Sequence, residues 1–260
     1  MLVALTGGTG GAKLIEGLAA EVDPADLTII CNTADDCEFH GLHISPDIDT
    51  VSYTLAGLVD TERGWGIRDD TFVALEALRR LGSEVWFKLG DKDLATHLTR
   101  TRLLKEGICL SEVTARIAIA LGVRARILPM SDDRIETRVA TPQGEISFQE
   151  FFVKEHWRRE VSGVRFLGAE SSRPAPGVLD AIARSDAIFI CPSNPITSIG
   201  PILAVPGILG ALKKSPAPAI AVSPLIGATA VSGPAHQLMA ACGRAPTAVG
   251  VAECYSDFLD

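Results

Sequence analysis

Apolar positions change period twice within the first thirty residues. "LVALT" (2–6) is a continuous apolar run of strand length, and "AKLIEGLAAEV" (12–22) spaces its apolar residues as an amphipathic helix does. "LTIICNT" (27–33) is apolar and β-branched and ends in polar turn residues. Strand, glycine turn, helix and strand form the first unit of a parallel sheet. The same grammar returns late in the chain. "DAIFICPSNP" and "PAIAVSPLIG" are apolar strands running into Pro/Gly/Ser loops, and "TAVGVAE" reads as a further strand.

The middle is patterned differently. "DIDTVSYTLAGLV", "DDTFVALEALRRLG", "DLATHLTRTRLLKEG" and "SEVTARIAIALGV" carry helical spacing, with Ser111 as a fair N-cap for the last. "RIETRVATPQGEISFQEFFV" alternates and turns at Pro142-Gln143-Gly144, which predicts a hairpin. The expected fold is a single α/β domain over 1–260. Its Rossmann-like parallel-sheet core comes from 1–45 and 164–260, and a mostly helical insertion with a β-hairpin occupies 46–163.

Composition narrows the function classes. The 260 residues are 47% hydrophobic, enough for one large core, and carry a net charge of −8. That balance argues against a nucleic-acid surface, yet local cations and helix N-termini can still hold an anionic small molecule. No apolar run approaches a membrane span, and Met1 leads into "LVALT" without a basic n-region, so no signal peptide is expected. The six cysteines are scattered without a C-x-x-C pair and read as reduced thiols of a cytoplasmic protein. Cys37, His40 and His43 fall three apart. A zinc site there would need a further ligand or water, and Gly41 disfavours a helical arrangement, so they read as loop residues near a site.

The chemistry concentrates in a few stretches. In "LTGGTGGAKL" a dinucleotide fingerprint would need glycine at position 13, where Lys13 stands, and a Walker loop would need Gly-Lys-Ser/Thr. What remains is the physics common to both: small residues that let backbone N–H groups reach a phosphate at the positive end of a helix. Asp35, Asp36, Asp47 and Asp49 in "NTADDCEFHGLHISPDIDT" are hard oxygen ligands suited to Mg²⁺ beside phosphate; alternatively, Ser45 and Asp47 cap the next helix. "LGDKDLATHLTRTRLL" puts Asp91, His97 and Arg100 around one helix start, and "PMSDDRIETRV" repeats the acidic turn at Ser131, Asp132 and Asp133. "CPSNPITSIGPIL" and "SPLIG" bring amides and hydroxyls to strand ends. No hydrolase triad is visible by spacing.

Taken together and in order, "GGTGGAKL", "NTADD", "HGLHISPDIDTVSYTLAG", "GWG", "LGDKDLATHL", "ILPMSDD", "CPSNPITSIGPIL" and "AVSPLIG" resemble the 2-phospho-L-lactate transferase family of coenzyme F420 biosynthesis, from Leu5 to about Pro234. Ala34 stands where that family usually shows glycine, and its members run on past the position of Asp260. The resemblance implies a specific reaction. A hydroxyl of the deazaflavin Fo attacks the phosphorus bearing a three-carbon acid in a guanosine diphosphate-linked donor, and GMP leaves.

By the same resemblance, Thr9, Gly10, Gly11 and Lys13 would lie near the donor phosphates, with Ser193, Asn194, Ser198 and Gly200 on the guanosine side. Asp47 and Asp49 would be catalytic, and they with Asp35 and Asp36 would hold Mg²⁺. Leu89, Gly90, Asp91, His97 and Arg100 would line the acceptor pocket. The donor acid stays open among phospholactate, phosphoenolpyruvate and phosphoglycerate, and a homodimer is the default assembly. Two rivals stand beside this reading. One is a regulatory sugar-nucleotide-binding protein of the gluconeogenesis factor family, which shares the glycine opening but lacks "HISPDIDT" and "CPSNPITSIGP". The other is a nicotinamide oxidoreductase, which the missing third glycine disfavours.

Overall fold

In the computed structural model, which describes residues 1–227, 229–231 and 233–259, the chain opens with β1 (Leu2–Thr6), α1 (Thr9–Glu21) and β2 (Leu27–Cys31). A tight hairpin, β3 (Cys37–Phe39) and β4 (Leu42–Ile44), turns through His40 and Gly41, both at positive φ as a two-residue hairpin turn requires. Four helices follow: α2 (Pro46–Leu55), α3 (Val73–Arg80), α4 (Asp93–Lys105) and α5 (Leu110–Ala120). Then come β5 (Arg126–Pro129), the hairpin β6 (Glu136–Thr141) and β7 (Gly144–Ser147), and β8 (Gly163–Leu167). The last part runs α6 (Val178–Ala183), β9 (Ala187–Ile190), α7 (Gly200–Ala204), α8 (Ile208–Lys214) and β10 (Ala219–Ala221). A two-residue ladder, β11 (Leu225–Ile226) with β12 (Thr229–Ala230), precedes α9 (Ala235–Ala241) and α10 (Ala248–Glu253).

Five parallel strands in the order β10-β9-β1-β2-β5 form the core sheet. Strand periodicity divides the sheet's residues between two layers. Ala4, Leu27, Ile29 and Cys31 face α1, α2 and α5 through Ala12, Ile15, Ile48, Val51 and Ala118. Val3, Leu5, Ile30, Ile188 and Ile190 face the other layer, where Val178, Ile182, Ile202, Ile208 and Met239 meet them. This is the α/β Rossmann-like arrangement expected. The chain crosses β1→β2→β5 on one side and then returns to β9 and β10 on the other. The direction therefore reverses between β1 and β9, the place where such sheets open a crevice at their carboxyl ends.

Three details depart from the sequence pattern. "TAVGVAE" is helix α10, not a strand. Thr247 caps it by accepting from Gly250 N at 3.1 Å, and a short apolar run does not by itself separate helix from strand. Ser111 lies inside the first turn of α5 and does not cap it. Its N–H and hydroxyl donate to Asp132 at 2.6 and 2.9 Å, so a side chain from the turn after β5 caps that helix. Inside 46–163, β5 joins the core sheet, whereas β8, which falls at the start of the 164–260 stretch expected for the core, pairs with β6 in the separate order β7-β6-β8. Among the described residues no single helix is long and apolar enough to cross a membrane.

Candidate functional site

The crevice is walled by the loop after β1 and the loop after β9. Gly7 N donates to Ser193 Oγ at 3.0 Å, and the glycines permit a very close approach. A Cβ on Gly10 would lie 2.4 Å from the Pro192 carbonyl oxygen, and one on Gly11 would lie 1.7 Å from Thr6 Oγ1. Across the turn, a Cβ on Gly8 would meet Asp47 Oδ1 at 2.6 Å. The glycines are thus required by packing against α2 and the 192–198 loop. The first turn of α1 holds no acidic residue, its own N-cap Gly8 supplies no side-chain bond, and the Asp47 carboxylate accepts from Gly8 N just ahead of the helix. Thr9, Gly10 and Gly11 therefore present helix-end amides, whereas Lys13 is exposed one turn further along.

On the other wall, Asn194 Oδ1 accepts from Ile196 N at 2.9 Å and caps its own turn. Ser193 and Ser198 lie against the glycine turn, and Gly200 packs on Phe166. A loop at 60–66 covers Thr9: a Cβ on Gly64 (φ +76°) would sit 2.7 Å from Thr9 Cγ2. This "GWG" loop is held by Asp60, whose carboxylate pairs with Arg63 Nε at 3.0 Å.

Sequence spacing put four carboxylates in one group, and the structure separates them. Asp35 and Asp47 are drawn together by Asn32, whose Nδ2 lies 2.9 Å from Asp35 Oδ2 and 2.9 Å from Asp47 Oδ2. Asp36 Oδ2 accepts from Ser45 Oγ at 2.6 Å and lies 3.1 Å from His43 Nε2. Asp49 points the other way, its two oxygens taken by the Arg100 guanidinium. Burial, with the charge of Asp36 adding to it, pushes the Asp47 carboxyl up to about 7, against hydrogen bonds from Asn32 and Gly8. Burial and the neighbouring Asp47 also push Asp35 well above the usual carboxylate range, and burial raises Asp36.

Asp35 Oδ1 and Asp36 Oδ1 are buried without a hydrogen-bond partner. Buried acceptors left free in this way fit a cation. Among the described residues no three His, Cys, Asp or Glu side chains form a ligand set by themselves. A hard ion here would draw on one or two carboxylates plus oxygens of a bound phosphate, as Mg²⁺ characteristically does.

The residues assigned to an acceptor pocket are engaged in packing, capping and ion pairing. Leu89 is 2% exposed in a cluster with Phe39, Ile44 and Phe87, and Gly90 is packed on Asp70. Asp91 accepts from Thr71 Oγ1, from Val73 N at 2.9 Å and from Ala74 N at 3.0 Å, so it caps α3. Asp70 returns the arrangement by accepting from Lys92 N at 2.8 Å and Asp93 N at 3.1 Å at the start of α4. His97 and Arg100, each 1% exposed, lie between α4 and α2. His97 Nε2 is 3.1 Å from Asp93 Oδ2, which shares its carboxylate with Tyr53 Oη at 2.6 Å. The acidic turn after β5 is likewise structural. Ser131 Oγ donates to the Arg173 carbonyl at 2.6 Å, and Asp133 accepts from Arg173 N at 2.8 Å. Asn32, a buried polar residue in direct contact with two of the carboxylates, was missed as a site residue. Its place at the end of an apolar strand was the available signal.

Comparison with known proteins bears on this site. The model of the family described as 2-phospho-L-lactate transferase CofD matches residues 2–258. A "2-phospho-L-lactate transferase" of Methanosarcina acetivorans is 46% identical over 259 residues, covering 100% of this chain and 84% of that protein. A "phosphoenolpyruvate transferase" of Kitasatospora aureofaciens is 46% identical over 266 residues, covering 100% of this chain and 83% of that protein. Among solved structures, a UPF0052 family protein from Bacillus halodurans superposes with a TM-score of 0.58 at 24% identity, over 85% of this chain and 67% of that one. That likeness shows the fold alone. The whole-length family match and the transferase relatives show the rest: the chain belongs to the 2-phospho-L-lactate transferase CofD family and is a transferase enzyme.

Proposed function

We propose that the chain transfers a phospho-linked three-carbon acid from a guanosine diphosphate-linked donor to the deazaflavin Fo. One observation carries the reading. The first-turn amides of α1 open at the switch point between β1 and β9, with Asp47 against the glycine turn ahead of them and buried carboxylate oxygens without partners nearby. Helix-end amides at Thr9, Gly10 and Gly11 receive the diphosphate, and the loop from Ser193 to Ser198 takes the nucleoside side. Asp35 and Asp36 are the residues to hold Mg²⁺, which when bound neutralises charge on the diphosphate. Asp49 is removed from that set because Arg100 takes both of its oxygens.

In the transfer, the Fo hydroxyl oxygen forms a bond to the phosphorus bearing the acid. The bond from that phosphorus to the bridging oxygen breaks, and GMP leaves with the electron pair. Asp47, with a carboxyl near neutrality, accepts the hydroxyl proton. The protein's contribution is position and charge, which this class of reaction chiefly demands. The test is mass spectrometry of the enzyme incubated with Fo, Mg²⁺ and guanosine-linked phospholactate, phosphoenolpyruvate or phosphoglycerate. A phosphodiester product with GMP is expected from one of them; absence of GMP from all three would overturn the reading.

A further inference from the structure

Asn32 is wholly buried at the carboxyl end of β2, a position where an apolar side chain would ordinarily continue the strand. Its Oδ1 accepts from Ala34 N at 2.9 Å, a local turn bond that many polar residues could supply. The amide nitrogen does something different. It has two hydrogens and faces three acceptors on three segments: Asp35 Oδ2 at 2.9 Å, Asp47 Oδ2 at 2.9 Å and the Thr197 carbonyl at 3.3 Å. Its backbone N–H donates to the Thr6 carbonyl at 2.9 Å, immediately before the glycine turn. The acidic loop, the first turn of α2 and the loop after β9 therefore meet at one side chain, and the backbone of the same residue ties them to the end of β1.

Two carboxylates that share a site repel each other, and a neutral double donor can hold both in place without cancelling their charge. A lysine or arginine there would form an ion pair and spend the negative charge. Leucine would leave both oxygens unpaired in a buried position. Asparagine alone among these fixes geometry without adding a charge of its own.

We propose that Asn32 is a positioning residue for the transfer, acting through Asp47 and Asp35 by holding Asp47 against the glycine turn with Asp35 fixed beside it. The inference rests on the proposed transferase reaction, with Asp47 as the group that acts.

The test compares the wild type with Asn32→Ala, Asn32→Ser, Asp47→Asn and the double variant Asn32→Ala/Asp47→Asn, using GMP release and thermal melting. Displacing a reacting group by about 1 Å costs on the order of 100-fold, and Asn32→Ala is expected to lose that much in kcat with KM for Fo within about threefold. Asn32→Ser, which keeps one donor, is expected to recover at least about tenfold of the loss. In the Asp47→Asn background, Asn32→Ala should cost less than about twofold more, because the effect passes through Asp47. Equal multiplicative losses in both backgrounds, or a loss confined to KM, would overturn the inference, as would a folded Asn32→Ala enzyme with wild-type kcat. Should Asn32→Ala fail to melt cooperatively, Asn32→Ser and its pairing with Asp47→Asn decide the same question. An inactive wild type removes the reaction and the inference together; an active wild type with an active Asn32→Ala removes only the inference.

Discussion

Arg100 on α4 grips Asp49 on α2 through two nitrogens, Nη1 to Oδ2 at 3.1 Å and Nη2 to Oδ1, and both side chains are closed from solvent. Such a pair contributes little net stability compared with a well-packed apolar replacement, but breaking one side strands a buried charge. Arg100→Met is therefore expected to destabilise the fold by about 3–5 kcal/mol in urea unfolding. Arg100→Met with Asp49→Leu should recover most of that loss. If Arg100 bound the acceptor, Asp49→Leu alone would leave stability nearly intact and raise only KM.

The glycines of α1 offer an internal contrast. Gly10→Ala and Gly11→Ala place a methyl against the Pro192 carbonyl and Thr6 Oγ1, and overpacking of that kind costs about 1–3 kcal/mol or more. Both should also abolish guanosine diphosphate binding measured by calorimetry. Gly17, on the same helix with nothing within 4 Å, should behave oppositely: Gly17→Ala is expected to stabilise by about 0.5–1 kcal/mol and leave binding unchanged.

The raised carboxyls set a pH dependence whose sign is fixed. Asp47 ionises near 3.8 when unfolded and about 7 when folded, so between those values the folded state holds the extra proton. Stability from this group is full below about pH 4 and is lost as pH rises through about 7. Because burial also raises Asp35 and Asp36, the residues proposed to hold it, Mg²⁺ should raise Tm more at higher pH than at lower. With Asp47 taking the hydroxyl proton, kcat should climb with pH up to about 7 and level off above it, and Asp47→Asn should remove that limb.

Asp91 distinguishes a cap from a contact with substrate. Its carboxyl is held below the usual range by the Thr71 hydroxyl and the amides of Ala74 and Val73. Asp91→Ala is expected to lower Tm at pH 7 while KM for Fo stays at the wild-type value. The Tm difference should shrink as pH falls through the depressed carboxyl, because the wild-type cap is then protonated as well.

The parallel core and its glycine turn were legible because each is written in contiguous residues: an apolar strand, small residues, then helical spacing. The two loops at the switch point were legible for the same reason. The strand "RILP" of β5 was not. Four residues in a helical stretch carry no period of their own, and their place comes from pairing with β2. Asp91 and Asp49 sit in stretches that resemble the family's motifs, yet their partners lie 17 to 51 positions away, in helices that spacing cannot bring together. Asn32 was read as part of a turn, since its role depends on where Asp47 and Thr197 arrive in space.

Asp70 and Asp91 do more than finish two helices. Because each closes the other's helix start, the chain enters and leaves the stretch between them through one neck, knotted by side-chain-to-amide bonds. Beyond that neck, α3 ends in the exposed Leu81 and in Gly82, which has open space around it. The turn there is a port for engineering. A peptide tag or a small guest domain spliced between Leu81 and Ser83 would hang outside the clasp, leaving the catalytic framework on its own side of the knot.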